Sequence, residues 1–313
     1  MLRLIGRRLV LSVPLLLVVS LSTFLLVALI PGDAARTIVG SSGTQEQYEL
    51  LRDALGLDES LPTRYWEWLE HAVQGDLGRS VFGQESVVSM LNSRLSVTLS
   101  LVIGSTVVAT LLGVLLGIAG ALRPGSLGRA LDAVALLGLA IPNFFLGLLL
   151  VAWFAVAIPL FPATGYVEPT QSIPEWLRGL VLPVVAIAVP GVAVIAKQTR
   201  DAMTDALARP FVRTLRACGV RRCSIVLKHA LRSAAIPLVT VVGLVFVGSL
   251  SGAVVIESVF AMPGLGSLAV ESTSERDLPL IQGVAVYFTV LVVIVNLVVD
   301  LLYGWIDPRV RGS

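Results

Sequence analysis

An all-α membrane protein with six transmembrane helices, both termini on the same side, is the fold class that three observations predict. The first is composition: of 313 residues, 56% are hydrophobic and only 14% charged, and the mean hydropathy is +0.88. That balance belongs to membrane proteins rather than to soluble domains. The second is a series of six apolar runs, each bounded by polar segments. The third is the uneven sharing of Lys and Arg between the two sets of connecting segments.

The first run, Leu9 to Ile30, follows Arg3, Arg7 and Arg8 and so resembles a signal peptide at its start. Its 22 residues exceed a signal-peptide core and suffice to cross a bilayer, which predicts an uncleaved first span. Five more runs follow at 96–122, 130–158, 179–196, 234–256 and 280–303. The fourth is short and contains Pro183 and Pro190, which neighbouring helices can accommodate by satisfying the freed backbone groups. An even number of spans returns the chain to its starting side. Of the 23 Lys and Arg, 16 fall in the N-terminus, the 121–132 loop, the 197–232 segment and the C-terminus, and 7 fall in the alternate segments. The richer side is expected to be cytoplasmic.

Three parts follow: a first transmembrane helix (1–30), an extracytoplasmic helical cap (31–95), and a five-helix core (96–313) with an inner loop at 197–232. Within the cap, "TQEQYELLRDALG" places Tyr48, Leu51 and Leu55 on one helical face and ends at Gly56. "LPTRYWEWLEHAVQG" has Pro62 in its first turn and Gly75 past its end. Cys218 and Cys223 are too few for a disulfide framework and are expected to be free thiols.

The inner loop holds the densest charge. "RTLRACGVRRCSIVLKHALR", residues 213–232, contains Arg213, Arg216, Arg221, Arg222, Lys228, Arg232 and His229 and no acid. Pro210 suits a first helical turn and Gly219 suits the left-handed position after the last. Phe211, Leu215 and Cys218 fall on one face, with Arg213 and Arg216 sharing another. A second helix is expected from about Ser224 to Arg232. Charge alone is explained equally well by topology; a patterned segment with a turn glycine at its centre asks for more.

This segment resembles the cytoplasmic coupling loop of ABC-importer permeases, in which a short helix is followed by a glycine and a further helix. "RTLRACG" is similar to the "RTARAKG" of the peptide-importer branch, and "LKHALRSAAIP" to its "LRHALRNALLP". Leu215 and Cys218 depart from the alanine and lysine usual there. The likeness extends along the chain through "ALIPGDAAR", "GDLGRS", "RLSVTLSL", "AIPNFFLGLLL", "ESVFAMPGLGSLAVE" and "DLLYGWIDPRVR". The chain thus resembles the B-type permease of dipeptide and oligopeptide importers, with the type I ABC importer permease architecture. The resemblance implies a bacterial inner-membrane location and membrane lipid as surroundings. It also implies a second permease subunit, two cytoplasmic ATPases carrying ATP and Mg, and an extracytoplasmic solute-binding protein. Phe211, Arg213, Thr214, Leu215, Arg216, Gly219, Arg222 and His229 are the expected ATPase-coupling residues.

Several other functions find no support in the sequence. The only lysines, Lys197 and Lys228, are preceded by Ala196 and Leu227, so no phosphate-cradling G-x-x-x-x-G-K-[ST] exists and ATP hydrolysis must come from a partner. His71 and His229 are each followed by alanine, which excludes an H-E-x-x-H zinc pair. No catalytic residue, metal site, resident cofactor or nucleic-acid partner is expected. An ion-coupled secondary transporter is the rival reading, but the spans hold few ionisable groups, with Asp132, Glu257 and Asp300 near their ends. Asn143, Glu257, Pro263, Gln282 and Asn296 are candidates for the solute path or its outer gate; the polar ones serve equally well as interhelical hydrogen-bond partners. Peptides are the expected solute, with nickel, glutathione, haem or sugar as alternatives.

Overall fold

The computed structural model describes residues 2–29, 34–40, 43–54, 56–123, 125, 138 and 140–306. The described residues are helical with short turns: α1 Leu2–Ala28, α2 Ala34–Val39, α3 Gln45–Ala54, α4 Leu61–Val73, α5 Val87–Leu122, α6 Asn143–Ala157, α7 Ile173–Ala208, α8 Pro210–Ala217, α9 Arg222–Val259, α10 Leu265–Glu275 and α11 Leu278–Ile306. Five helices, α1, α5, α7, α9 and α11, are long and apolar enough to cross a membrane, and α6 is a shorter apolar helix. The beginning of the expected third span (130–137, with Asp132), Arg129, the Ser41–Ser42 pair and the terminal 307–313 lie outside the described residues.

Two compact units make up the chain: Leu2–Val97 with Pro263–Val293, and Thr98–Met262 with the chain from Ile294. In the first, Leu77, Val87, Leu91, Leu265, Leu268, Leu280 and Val284 form a buried apolar core. The "GDLGRS" stretch is held to it by one carboxylate. Asp277, fully buried, accepts from Ser80 Oγ (2.5 Å) and Val81 N (3.1 Å) while its other oxygen caps α11 at Leu280 N (3.2 Å). α4 lies against α1 through Tyr65, which meets Ser20 Oγ at 2.9 Å and the Phe24 ring at 5.5 Å between centroids.

In the second unit α7 packs along α9 and α6. Contact between α5 and α7 is close enough to require glycine: a Cβ on Gly117 would lie 2.6 Å from the Ala196 carbonyl oxygen, and one on Gly113 would lie 2.7 Å from the Ile195 side chain. The expected break at residue 197 does not occur. α7 continues to Ala208 because Met203 and Ala206 fall on one stripe and bury against Val226, Ala230, Ala234 and Leu238 of α9. Likewise, the helix expected over Ser224–Arg232 is the first part of α9, with a π-helical stretch at Ile225–Ala230. α5 also starts at Val87 rather than near 96, because Val87 and Leu91 are core residues of the first unit. At about 1.5 Å per residue, the 36 residues of α7 measure about 54 Å, well beyond a hydrocarbon core of about 30 Å. The amphipathic end of α7 therefore projects from the bilayer.

Candidate functional site: the α7–α8–α9 hairpin and the bundle cavity

Between the projecting ends of α7 and α9 lies the eight-residue helix α8. Arg209 ends α7 in an extended conformation and Pro210 opens α8, where a missing N–H costs nothing. Val212 is the one fully buried side chain of α8 and anchors it. Phe211, Arg213, Thr214 and Arg216 are exposed and Leu215 is half-buried. The expected apolar face of Phe211, Leu215 and Cys218 therefore points outward with the cations, and Val212 does the inward packing. Arg209 also donates to Ser233 Oγ on α9 at 3.3 Å.

The helix is closed by a double hydrogen bond. Val220 N donates to Leu215 O and Gly219 N to Arg216 O, each at 3.0 Å, with Gly219 at φ +74°. This is the Schellman arrangement, which needs a left-handed residue at that position. Beyond it, Arg216 and Arg222 line a cavity of about 590 Å³ with Leu207, Val220, Ile225 and Val226. His229 and Lys228 are exposed on the π-helical stretch. Among the described residues, Arg213, Arg216, Arg221 and Arg222 form no ion pair with a carboxylate. Four cations on one short hairpin are thus free to meet acids on another protein, where they favour encounter and register.

The five path candidates separate. Asn143 begins α6 and lines a cavity of about 320 Å³ with Ile187, Pro190, Gly191, Val194, Leu244, Val245, Gly248 and Ser249. Glu257 is fully buried and accepts from Thr98 Oγ1 at 2.6 Å. With no exposure, the Glu257 carboxylate sits inside the fold rather than on its surface. Pro263 is exposed in the turn before α10, and Asn296 is exposed on α11. Gln282 is fully buried, and neither polar atom of its amide has a hydrogen-bond partner among the described residues. Sequence reading passed over Ser249 and Gly252; the small-residue cluster "GSLSG" inside an apolar run was the available signal.

Comparison with known proteins places this geometry. The family described as "Binding-protein-dependent transport system inner membrane component" matches residues 87–312, and its N-terminal companion matches residues 1–102. A probable peptide ABC transporter permease protein of Sinorhizobium fredii is 37% identical, over 97% of this chain and 98% of its own length. A putative peptide transport system permease protein of Brucella abortus is 38% identical, over 98% of each chain. A glutathione transport system permease protein of Escherichia coli is 39% identical, over 99% of each. Among solved structures, the inward-facing MetNI methionine ABC transporter superposes with a TM-score of 0.54 at 18% identity, covering 70% of this chain and 96% of that one; this likeness speaks for the fold. The chain belongs to the family of binding-protein-dependent transport system inner membrane components, and is a multi-pass permease subunit of the bacterial inner membrane.

Proposed function

We propose that this permease carries di- or oligopeptides, pairs with a second permease subunit, and receives the force of ATP hydrolysis through α8. Two ATPase subunits, each holding ATP and Mg, would dock on the cytoplasmic side, and a solute-binding protein would deliver peptide from the other. The observation that carries the coupling role is the construction of the hairpin. α8 has one buried anchor in Val212, a left-handed stop at Gly219 and an outward face of Phe211, Arg213, Thr214 and Leu215. It hangs between rigid extensions of two spans, α7 and α9, so a displacement at α8 reaches the bundle without bending a loop. Arg216, Arg222 and His229 flank the contact. Peptide as solute is supported by relatives named for peptide transport that match this chain almost end to end. Glutathione, itself a tripeptide, is the second reading, supported by the relative named for it.

The test is uptake by vesicles containing the whole complex, energised with ATP and supplied with the binding protein. Peptide accumulation that requires both ATP and the binding protein is the expected result. Accumulation of glutathione alone would select the second reading. Peptide accumulation driven by an ion gradient without ATP would refute the coupling role of α8.

A further inference from the structure

Building on the peptide reading, we propose that the cavity beside Asn143 is a transient subsite that hydrogen-bonds the main-chain amide of the passing solute, read by Asn143 and Ser249. α6 starts in the middle of the third apolar run, after Pro142 at the N-cap, which provides no side-chain cap. From Asn143 to the outer end of α6 at Ala157 is 15 residues, about 22 Å of helix, so the first turn lies deep in a hydrocarbon layer of about 30 Å. A helix that begins at such depth leaves its first N–H groups without intrahelical acceptors. Irregular backbone is tolerated there where it lines a cavity.

Ser249 is the independent observation. It is 5% exposed, lines the same cavity, and its hydroxyl has no hydrogen-bond partner among the described residues. The Asn143 amide likewise has none among them, and it rests where Gly252 leaves room: a Cβ at Gly252 would sit 2.8 Å from Asn143 Nδ2. Both groups line the cavity wall, where a visiting group can reach them. Together, beside uncapped N–H groups, they make a site that a visiting polar group completes.

The chemistry of the lining selects that visitor. Asn143 and Ser249 offer both donors and acceptors, the helix start offers N–H donors, and none of the described lining residues is charged. Ile187, Val194, Leu244 and Val245 supply apolar walls. Such a site matches a neutral amide, which has one donor and one acceptor, and ignores the charge of the side chains. A permease reading only the repeating unit of a peptide admits many sequences while favouring peptides over other solutes. The volume of about 320 Å³ falls at the small end of ligand pockets, room for a short stretch of chain rather than a whole oligopeptide.

The probe is a pair of alanine tripeptides, one unmodified and one N-methylated at the amide nitrogen of its middle residue, which removes one N–H and keeps the carbonyl. Uptake is measured in vesicles with the whole complex and saturating loaded binding protein, and expressed per ATP hydrolysed. Wild type is expected to favour the unmodified peptide by roughly three- to tenfold, the effect of one neutral hydrogen bond. Asn143→Leu and Ser249→Ala should each lower uptake of the unmodified peptide and bring the ratio towards one. Gly252→Ala, which displaces the Asn143 amide, should do the same if Asn143→Leu fails to assemble. A wild-type ratio near one, or an unchanged ratio in Asn143→Leu and Ser249→Ala, overturns the subsite. Loss of complex assembly with an unchanged ratio per assembled complex also overturns it, and assigns the two side chains to subunit packing. Absence of any ATP-dependent peptide uptake by wild type instead overturns the peptide reading itself.

Discussion

Replacing Gly219 with valine isolates the turn that ends α8. A Cβ at this position meets nothing within 4 Å, so the substitution causes no collision. Its whole effect comes from φ +74°, a conformation that costs an L-residue about 1–2 kcal/mol and is worst for a β-branched side chain. An energy of that size shifts the ratio of correctly turned to unturned hairpin about 5- to 30-fold. The buried contacts of Met203, Ala206, Val226 and Ala230 hold α7 against α9 without the turn, so the complex should still assemble. α8 would then be mis-aimed on its partner. In vesicles with the whole complex, Gly219→Val should keep near-normal protein levels and binding-protein docking. Peptide uptake and stimulated ATP hydrolysis should fall together. Gly219→Asn, tolerated in the left-handed region, should retain most of both. Wild-type uptake by Gly219→Val would refute the reasoning, and equal failure of Gly219→Asn would show that bulk rather than φ is the cause.

Arg216→Glu reverses one of the hairpin's unpaired cations, so ATPase attachment should weaken, and the difference from wild type should shrink as salt screens the contact; co-purification across a salt series reads it. With Cys218 and Cys223 replaced by serine, Gln47→Cys should react with a membrane-impermeant thiol reagent in intact cells and Thr204→Cys should not; equal labelling would refute the topology. Asp277→Ala leaves Ser80 Oγ, Val81 N and Leu280 N without their acceptor, a loss of about 2–4 kcal/mol that should lower the unfolding midpoint in detergent. Glu257→Lys buries a cation beside Thr98, and reduced protein level should precede any transport defect, whereas Glu257→Gln should express normally; a transport defect at normal protein level in Glu257→Lys would refute the internal placement.

The spans were legible because a bilayer demands about 20 apolar residues in a row, and the runs around Leu9–Ile30, 96–122 and 280–303 meet that demand in any tertiary setting. The cation count fixed an expected orientation for a similar reason, since topology responds to the number of Lys and Arg rather than to their packing. Gly219 was legible too: few residues besides glycine end a helix in the left-handed region, and one stood just past a basic helix pattern. Helix ends were harder. Residues 197–208 are polar in composition, and their helix exists because Met203 and Ala206 meet side chains of α9 from twenty or more positions away.

What the sequence by itself determined is therefore the class: a helical membrane protein with a basic segment that turns at a glycine, because those properties reside in composition, run length and local backbone preference. Only the tertiary structure decided which side chains face inward. It turned Val212 to the core and Phe211 outward, buried Glu257 against Thr98, brought Asn143 and Ser249 from two separate helices to one cavity, and set Gly252 against the Asn143 amide. Burial and pairing depend on which surfaces meet, and a helix that is apolar on nearly every side does not encode in its own pattern which face will meet a neighbour.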